Sequence, residues 1–495
     1  MVHDLMVGFL SVTNLGAIFA IISGVSVGVI LGAIPGLTAT MGIALIIPIT
    51  FYMDPVISIS MLIGAYKGGL YGGSISAILL GTPGTDAAAA TIIDGYKMAK
   101  MGKSGKALRV ALFSSVIGDL TSLCALVFLA PIIAKFTLKI GPGEYFTLIL
   151  FSLTIIAGVS GEYVSKGLIA AFFGFFLATI GMDPIMGSRR LTFGILELDS
   201  GIAIMPMLIG LFAVPEIIIQ LEQPLSANIP VLMISKKIKD SIVSISEFLK
   251  CLKAIFIGSG IGILIGAIPG IGSSVSSWLA YKTVRENSKN ANEFGTGIIE
   301  GIAAPEAGNN AVCGGALIPM LTLGVPGSIP VAILMSAFII QGIVPGPLIF
   351  KEHGPLVYGI FASLFFSNIV LLLIGLLAIK YIAPILCKIS KVILFPIILG
   401  FCFVGAFALN QTFFDVNVMV VFGIIGYLMR KTNYPAAPFL IAMILEPFAE
   451  GNLRRFIILS GGNIFTLFSK PLAVIFLALT VFALIHFFRT KGVQK

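Results

Sequence analysis

The chain has 495 residues, of which 58% are hydrophobic and 11% charged, against roughly 25% charged in a typical soluble domain. No water-soluble fold could bury that much apolar surface. The net charge of +9 sits in short loops, not on a basic face interleaved with aromatics, so it reports topology and argues against nucleic acid as a partner.

In chain order, apolar runs long enough to cross a bilayer, about 20 residues each, fall at 15–34, 57–80, 108–134, 201–221, 355–379, 391–409 and 468–488. Shorter or glycine-broken runs raise the expected count to about 12 to 14. The reading is an all-α integral membrane protein, multi-pass, with the lipid bilayer as its solvent. No Lys or Arg precedes the first run and no small-residue cleavage site follows it, so the first helix is expected to stay in the mature protein.

Two passages repeat. GVILGAIPGLTAT at 28–40 matches GILIGAIPGIGSS at 262–274, and GGSISAILLGTPGT at 72–85 matches GGALIPMLTLGVPGS at 314–328, in the same order and near half the chain apart. This predicts an internal duplication: 1–221 as a first membrane repeat, 222–250 as a polar cytoplasmic linker, and 251–495 as a second repeat with additional C-terminal helices. Dense basic loops at Lys97, Lys100, Lys103, Lys106 and Arg109 and at Lys236, Lys237, Lys239, Lys250 and Lys253 should both be cytoplasmic. The second Pro-Gly segment is flanked by Lys and Arg, whereas the first is flanked by His3, Asp4 and Asp54. The two repeats are therefore expected to be inverted with respect to the membrane.

Unwound backbone inside a bilayer is tolerated only where protein or water satisfies it. Pro35-Gly36 and Pro269-Gly270 should therefore break helices or form re-entrant hairpin tips, and the residues after them should line a cavity. Those residues are Thr38 and Thr40 in one repeat and Ser273 and Ser274 in the other. The companion tips supply Thr82 and Thr85, and Ser328. Small hydroxyls with free backbone amides at helix starts suit a carboxylate; the competing reading of each alone is a hydroxyl bonded back to its own helix. The segment APEAGNNA adds Asn309 and Asn310, paired amides that could bind a carboxylate or coordinate Na⁺. Glu306 reads either as a proton or Na⁺ site or as a helix N-cap at the membrane surface. Gly36, Gly270, Glu306 and Asn310 are the candidate ion-coupling positions. Lys67 and Asp119 are charges deep in apolar sequence that could pair or serve the substrate, and Asp94 is singled out among carboxylates near segment ends.

No catalytic residues and no metal site are expected. Ser-His-Asp, HExxH and Walker-type patterns do not occur, and the five cysteines form no CxxC pair. No cofactor is implied beyond a coupling ion, Na⁺ or H⁺.

The motifs GAIPGLTAT, Tyr71-Gly72-Gly73-Ser74, Pro83-Gly84 with Asp94-Gly95-Tyr96, and APEAGNNA followed by GGALIPMLTLGVPGS resemble the large membrane subunit of tripartite tricarboxylate transporters. The resemblance runs from about residue 15 to 350, and the C-terminal third fits in hydropathy alone. It implies a permease of the cell inner membrane, a cation-gradient-driven secondary carrier of an organic carboxylate, dicarboxylate or tricarboxylate. By the same resemblance the partners are a small four-helix membrane subunit and a periplasmic or lipid-anchored binding protein that delivers the substrate, and a homodimer is one assembly open to it. It places the substrate site on Thr38, Thr40, Thr82, Thr85, Ser273, Ser274, Asn309, Asn310 and Ser328. Gly81, where the family often has Asn, and Lys67 depart from its pattern. A membrane channel for small anions and a membrane-embedded enzyme are the competing classes; the first would need a continuous polar pore, the second a nucleophile with its base or a metal cluster.

Overall fold

A computed structural model describes residues 2–160, 163–183, 185–222, 238–382 and 391–491, so most of the expected linker lies outside the described residues. The chain is almost entirely helical. Its principal helices are α1 (Val2–Val12), α2 (Leu15–Gly32), α3 (Ala39–Thr50), α4 (Pro55–Leu80), α5 (Ala89–Met98), α6 (Ser104–Thr137), α7 (Pro142–Val159), α8 (Val164–Ala178), α9 (Ile204–Glu222), α10 (Ile245–Gly266), α11 (Gly272–Glu286), α12 (Glu300–Leu323), α13 (Ile329–Ile340), α14 (Gly354–Leu377), α15 (Lys391–Asn410), α16 (Phe413–Lys431), α17 (Ala436–Leu459) and α18 (Pro471–Lys491). Among the described residues, eight helices are long and apolar enough to cross a membrane, and five shorter apolar helices accompany them. The only strands described are a two-residue antiparallel pair, Gly181–Met182 with Arg189–Arg190.

Local chemistry sets the helix ends. Asn14 caps α2 by accepting from the Ala17 amide at 2.7 Å, and Asp54 with Pro55 at the first helical position starts α4. Gly81 and Gly324 end α4 and α12 in the left-handed conformation, at φ of +67° and +63°.

The centre of the molecule is two matching helix pairs, α2 with α4 and α10 with α12. Gly24, Gly28 and Gly32 lie against the backbone of Met61, Ala65 and Gly69; a Cβ on Gly28 would stand 2.3 Å from the Ala65 carbonyl oxygen. Gly258, Gly262 and Gly266 on α10 repeat the spacing, and a Cβ on Gly262 would stand 2.5 Å from the Gly308 carbonyl oxygen. Helices in lipid associate by close backbone approach, because the bilayer supplies no hydrophobic drive between them. The glycine stripe in each repeat is thus what lets an outer helix seat on an inner, fully enclosed one.

The two pairs run in opposite senses. The start of α4 lies at the end of the molecule where α3 and α13 finish, since the Gln341 amide reaches the Thr50 carbonyl at 3.4 Å. Its far end, Gly81, abuts Tyr96 in the last turn of α5. Helix α12 begins at this second end, where Gly301 packs on Asp94, and finishes at the first. The short helix after each tip packs against the helix that follows the non-equivalent tip of the other repeat: α3 against α13, and α11 against α5 and the turn Asp86–Ala88. The repeats interlock as inverted hairpins and are not separate bodies. The first basic loop and the described part of the second lie at one end: Lys106 pairs with Glu247 at 2.7 Å, Arg109 donates to the Ser241 carbonyl at 2.8 Å, and Lys97 donates to the Gly295 carbonyl, while Lys236 and Lys237 lie outside the described residues.

Candidate functional site: a cavity at the hairpin tips

Each Pro-Gly tip is a break between a helix that enters the protein and one that turns back. Gly36 and Gly270 take φ of +95° and +83°, which a side chain would strain. In the first tip Thr38 then starts α3, its hydroxyl accepting from the Met41 amide at 3.2 Å. In the second repeat the Gly270 amide donates to the Gly327 carbonyl at 3.0 Å, tying the two tips together.

The tips meet around one cavity of about 710 Å³. Thr38, Thr40, Thr85, Ser273, Ser274 and Ser328 line it, together with Gly270. So do the first residues of α3, α11, α13 and α17 and of the 3₁₀ turn Asp86–Ala88 that leads into α5. Helix starts carry unsatisfied amides and the positive end of the peptide dipole. A cavity walled by several of them and by hydroxyls is built for an anion. The Thr85 hydroxyl is buried and finds no hydrogen-bond partner among the described residues, so it remains available to a ligand, whereas that of Ser328 stands beside the Tyr66 hydroxyl.

The other sequence candidates lie elsewhere. Thr82 is not among the residues lining the cavity, and its hydroxyl has no hydrogen-bond partner among the described residues. Gly36 faces away from the cavity and packs on Gln220. Glu306 and Asn310 form a second, separate cluster in the protein interior. The Glu306 carboxylate accepts from Ser74 at 2.6 Å, Thr91 at 2.5 Å and Ser115 at 2.9 Å, and Asn310 donates to Ser115 at 2.9 Å. Glu306 is fully buried and is the seventh residue of α12, which rules out its reading as a cap at the membrane surface. With hydroxyl oxygens around a carboxylate and, among the described residues, no basic side chain bonded to it, this cluster has the donor set to hold a proton or a hard monovalent cation. Neighbouring Asn309 is also fully buried, and neither polar atom of its amide has a hydrogen-bond partner among the described residues.

The remaining deep charges are explained by one another or by backbone. Lys67 on α4 and Asp119 on α6 form an ion pair at 2.6 Å, both all but inaccessible, with the Lys67 ammonium also donating to the Leu364 carbonyl at 2.5 Å. Asp94 accepts from the amides of Gly295, Gly297 and Ile298 and from the Tyr281 hydroxyl, so it organises the loop that leads into α12.

The sequence reading missed Arg430. It stands at the end of α16 and lines the cavity with Asn433, Tyr434 and Pro435, its guanidinium bonded to the buried carboxylate of Glu216 on α9. Gln220 donates to the other Glu216 oxygen at 3.1 Å. In sequence Arg430 is one of two adjacent basic residues closing an apolar run, the usual mark of a membrane boundary, and nothing local separates it from Lys431.

Interlocked inverted hairpins around a hydroxyl-lined cavity define a multi-pass membrane protein of the transporter class. The family model described as "Tripartite tricarboxylate transporter TctA family" matches residues 18–441, and the chain belongs to that family, the large subunit of a system that has other subunits. It is 35% identical to an Agrobacterium vitis protein described as "Uncharacterized 52.8 kDa protein in TAR-I ttuC' 3'region", over 99% of this chain and 98% of that protein. A second Agrobacterium vitis protein, "Uncharacterized protein in TAR-II ttuC' 3'region", is 37% identical over 47% of this chain and 98% of its own length. No solved structure matches the chain.

Proposed function

We propose that the protein is a secondary active transporter of the cell inner membrane that takes up an organic carboxylate, with two or three carboxyl groups, coupled to a Na⁺ or H⁺ gradient. The observation that carries this reading is the cavity itself, in which hydroxyls and helix starts from both repeats converge. An anion bound there meets dipoles from opposite halves, so each half can hold it while the other moves. Substrate comes from an extracytoplasmic binding protein, and a small four-helix membrane subunit completes the system. Thr38, Thr40, Thr85, Ser273, Ser274 and Ser328 contact the substrate, and the Glu306 cluster with Asn310 carries the coupling ion.

The test is uptake of labelled citrate and succinate into proteoliposomes that hold this chain, its small subunit and its binding protein. Saturable uptake that needs an imposed ion gradient is expected, and Glu306→Gln should sever the dependence on that gradient. Uptake that neither saturates nor responds to a gradient would refute the carrier reading, and single-channel currents would favour an anion channel.

A further inference from the structure

Among the described residues that line the cavity, Arg430 is the one cation. Asp86, the one carboxylate there, is exposed to solvent, where its charge is screened. A dianion or trianion enters such a cavity at the cost of its hydration, and dipoles and hydroxyls alone offset only part of a full charge. A guanidinium offers a planar fork of donors that matches a carboxylate.

In the structure that fork is engaged by Glu216. The contact joins residues on α16 and α9, and the Glu216 side chain is only 8% exposed while that of Arg430 is 38% exposed. The carboxylate thus sits behind the wall and the guanidinium in it. Only Nη1 of Arg430 is bonded to Glu216. Glu216 is fixed from behind by Gln220, whose amide nitrogen would lie 2.1 Å from a Cβ placed on Gly36. The pair therefore adjoins the first Pro-Gly tip.

Resting on the carboxylate reading of the cavity, we propose that Arg430 recognises one carboxylate of the substrate and that Glu216 is its internal placeholder, exchanged for the substrate on binding. Glu216 has the same chemistry as the ligand and competes with it. A placeholder lets an empty cavity keep its cation charged and positioned without leaving it unpaired. It also makes Arg430 selective: a neutral analogue cannot displace a carboxylate, so it gains nothing there.

The experiment is calorimetric binding of citrate and of succinate to the purified full-length protein in nanodiscs, comparing the unaltered chain with Arg430→Gln, Arg430→Lys and Glu216→Gln. Arg430→Gln should weaken binding on the order of 10- to 100-fold, the loss of a charge-assisted hydrogen bond, and Arg430→Lys should restore part of it. Glu216→Gln should tighten binding several-fold because the internal competitor is gone. A purely structural ion pair predicts the opposite sign for Glu216→Gln, with both neutral variants losing affinity and melting temperature together. That result, or undiminished binding by Arg430→Gln, overturns the proposal. Should Arg430→Gln not fold, the opposed signs of Arg430→Lys and Glu216→Gln decide it alone. If the unaltered protein binds neither acid, the carboxylate reading of the cavity falls, and the role of Arg430 with it.

Discussion

The buried pair of Lys67 and Asp119 is expected to be a structural unit whose halves are individually indispensable and jointly replaceable. At the observed 2.6 Å, with an effective dielectric of about 20, the attraction is roughly 6 kcal/mol. Burial of each ion costs several kcal/mol against that, so the pair as a whole contributes little. Removing one partner is different, because the survivor keeps its desolvation cost and loses its compensation. Asp119→Leu or Lys67→Met should each destabilise by about 3–5 kcal/mol, while the double variant should recover most of the loss, since a methionine and a leucine fill the same apolar space between α4, α6 and α14. Chemical unfolding of the purified single and double variants in one detergent, read as a double-mutant cycle, supplies the coupling energy. Additive losses in the double variant would refute this account. They would mean that the two charges are needed separately, each toward some third group.

The glycine stripes give a second expectation. Gly28→Leu and Gly262→Leu should prevent α2 from seating on α4 and α10 on α12, with little monodisperse protein recovered, whereas Gly260→Leu, where a Cβ meets nothing within 4 Å, should behave as the unaltered chain; size-exclusion profiles after solubilisation check all three. At the tips, Thr38→Val removes both a cavity hydroxyl and the cap of α3, costing about 1 kcal/mol of stability, so Thr38→Ser should restore the melting temperature. Thr85→Val, which loses no hydrogen bond to another described residue, should leave stability intact and weaken carboxylate binding roughly 2- to 10-fold. In the loop after α8, the Arg454 guanidinium and the amides of Met186 and Ile185 hold the Asp183 carboxyl well below the usual range. A carboxyl depressed in the folded state stabilises above its unfolded value, near 4, and that contribution fades as pH falls through the lower folded one. Proteolytic cleavage of the loop should therefore quicken in the unaltered protein only below about pH 4, and in Asp183→Asn already at pH 7.

The duplicated Pro-Gly segments, their following hydroxyls and the sidedness of the basic loops were legible in the sequence because each depends on chemistry within a few residues. Proline removes a donor, glycine permits a positive φ, and a hydroxyl two residues beyond a tip must stand at the start of the next helix. The apolar runs were readable for the same reason, since a bilayer demands about 20 residues of continuous helix whatever their neighbours are. Tertiary structure alone decided which candidates share a space. Thr85 and Ser273 face one cavity because α11 of the second repeat packs on the Asp86–Ala88 turn of the first. Asn309 and Asn310 point elsewhere because α12 is enclosed on every side. Lys67 and Asp119 lie on different helices, and their spacing in sequence carries no hint of contact. Arg430 and Glu216 are 214 residues apart, and a basic residue at the end of an apolar run reads as a membrane anchor until the fold sets it in a cavity wall. Helix breaks are local consequences of backbone chemistry, whereas the charges that meet at those breaks are chosen by packing between distant segments.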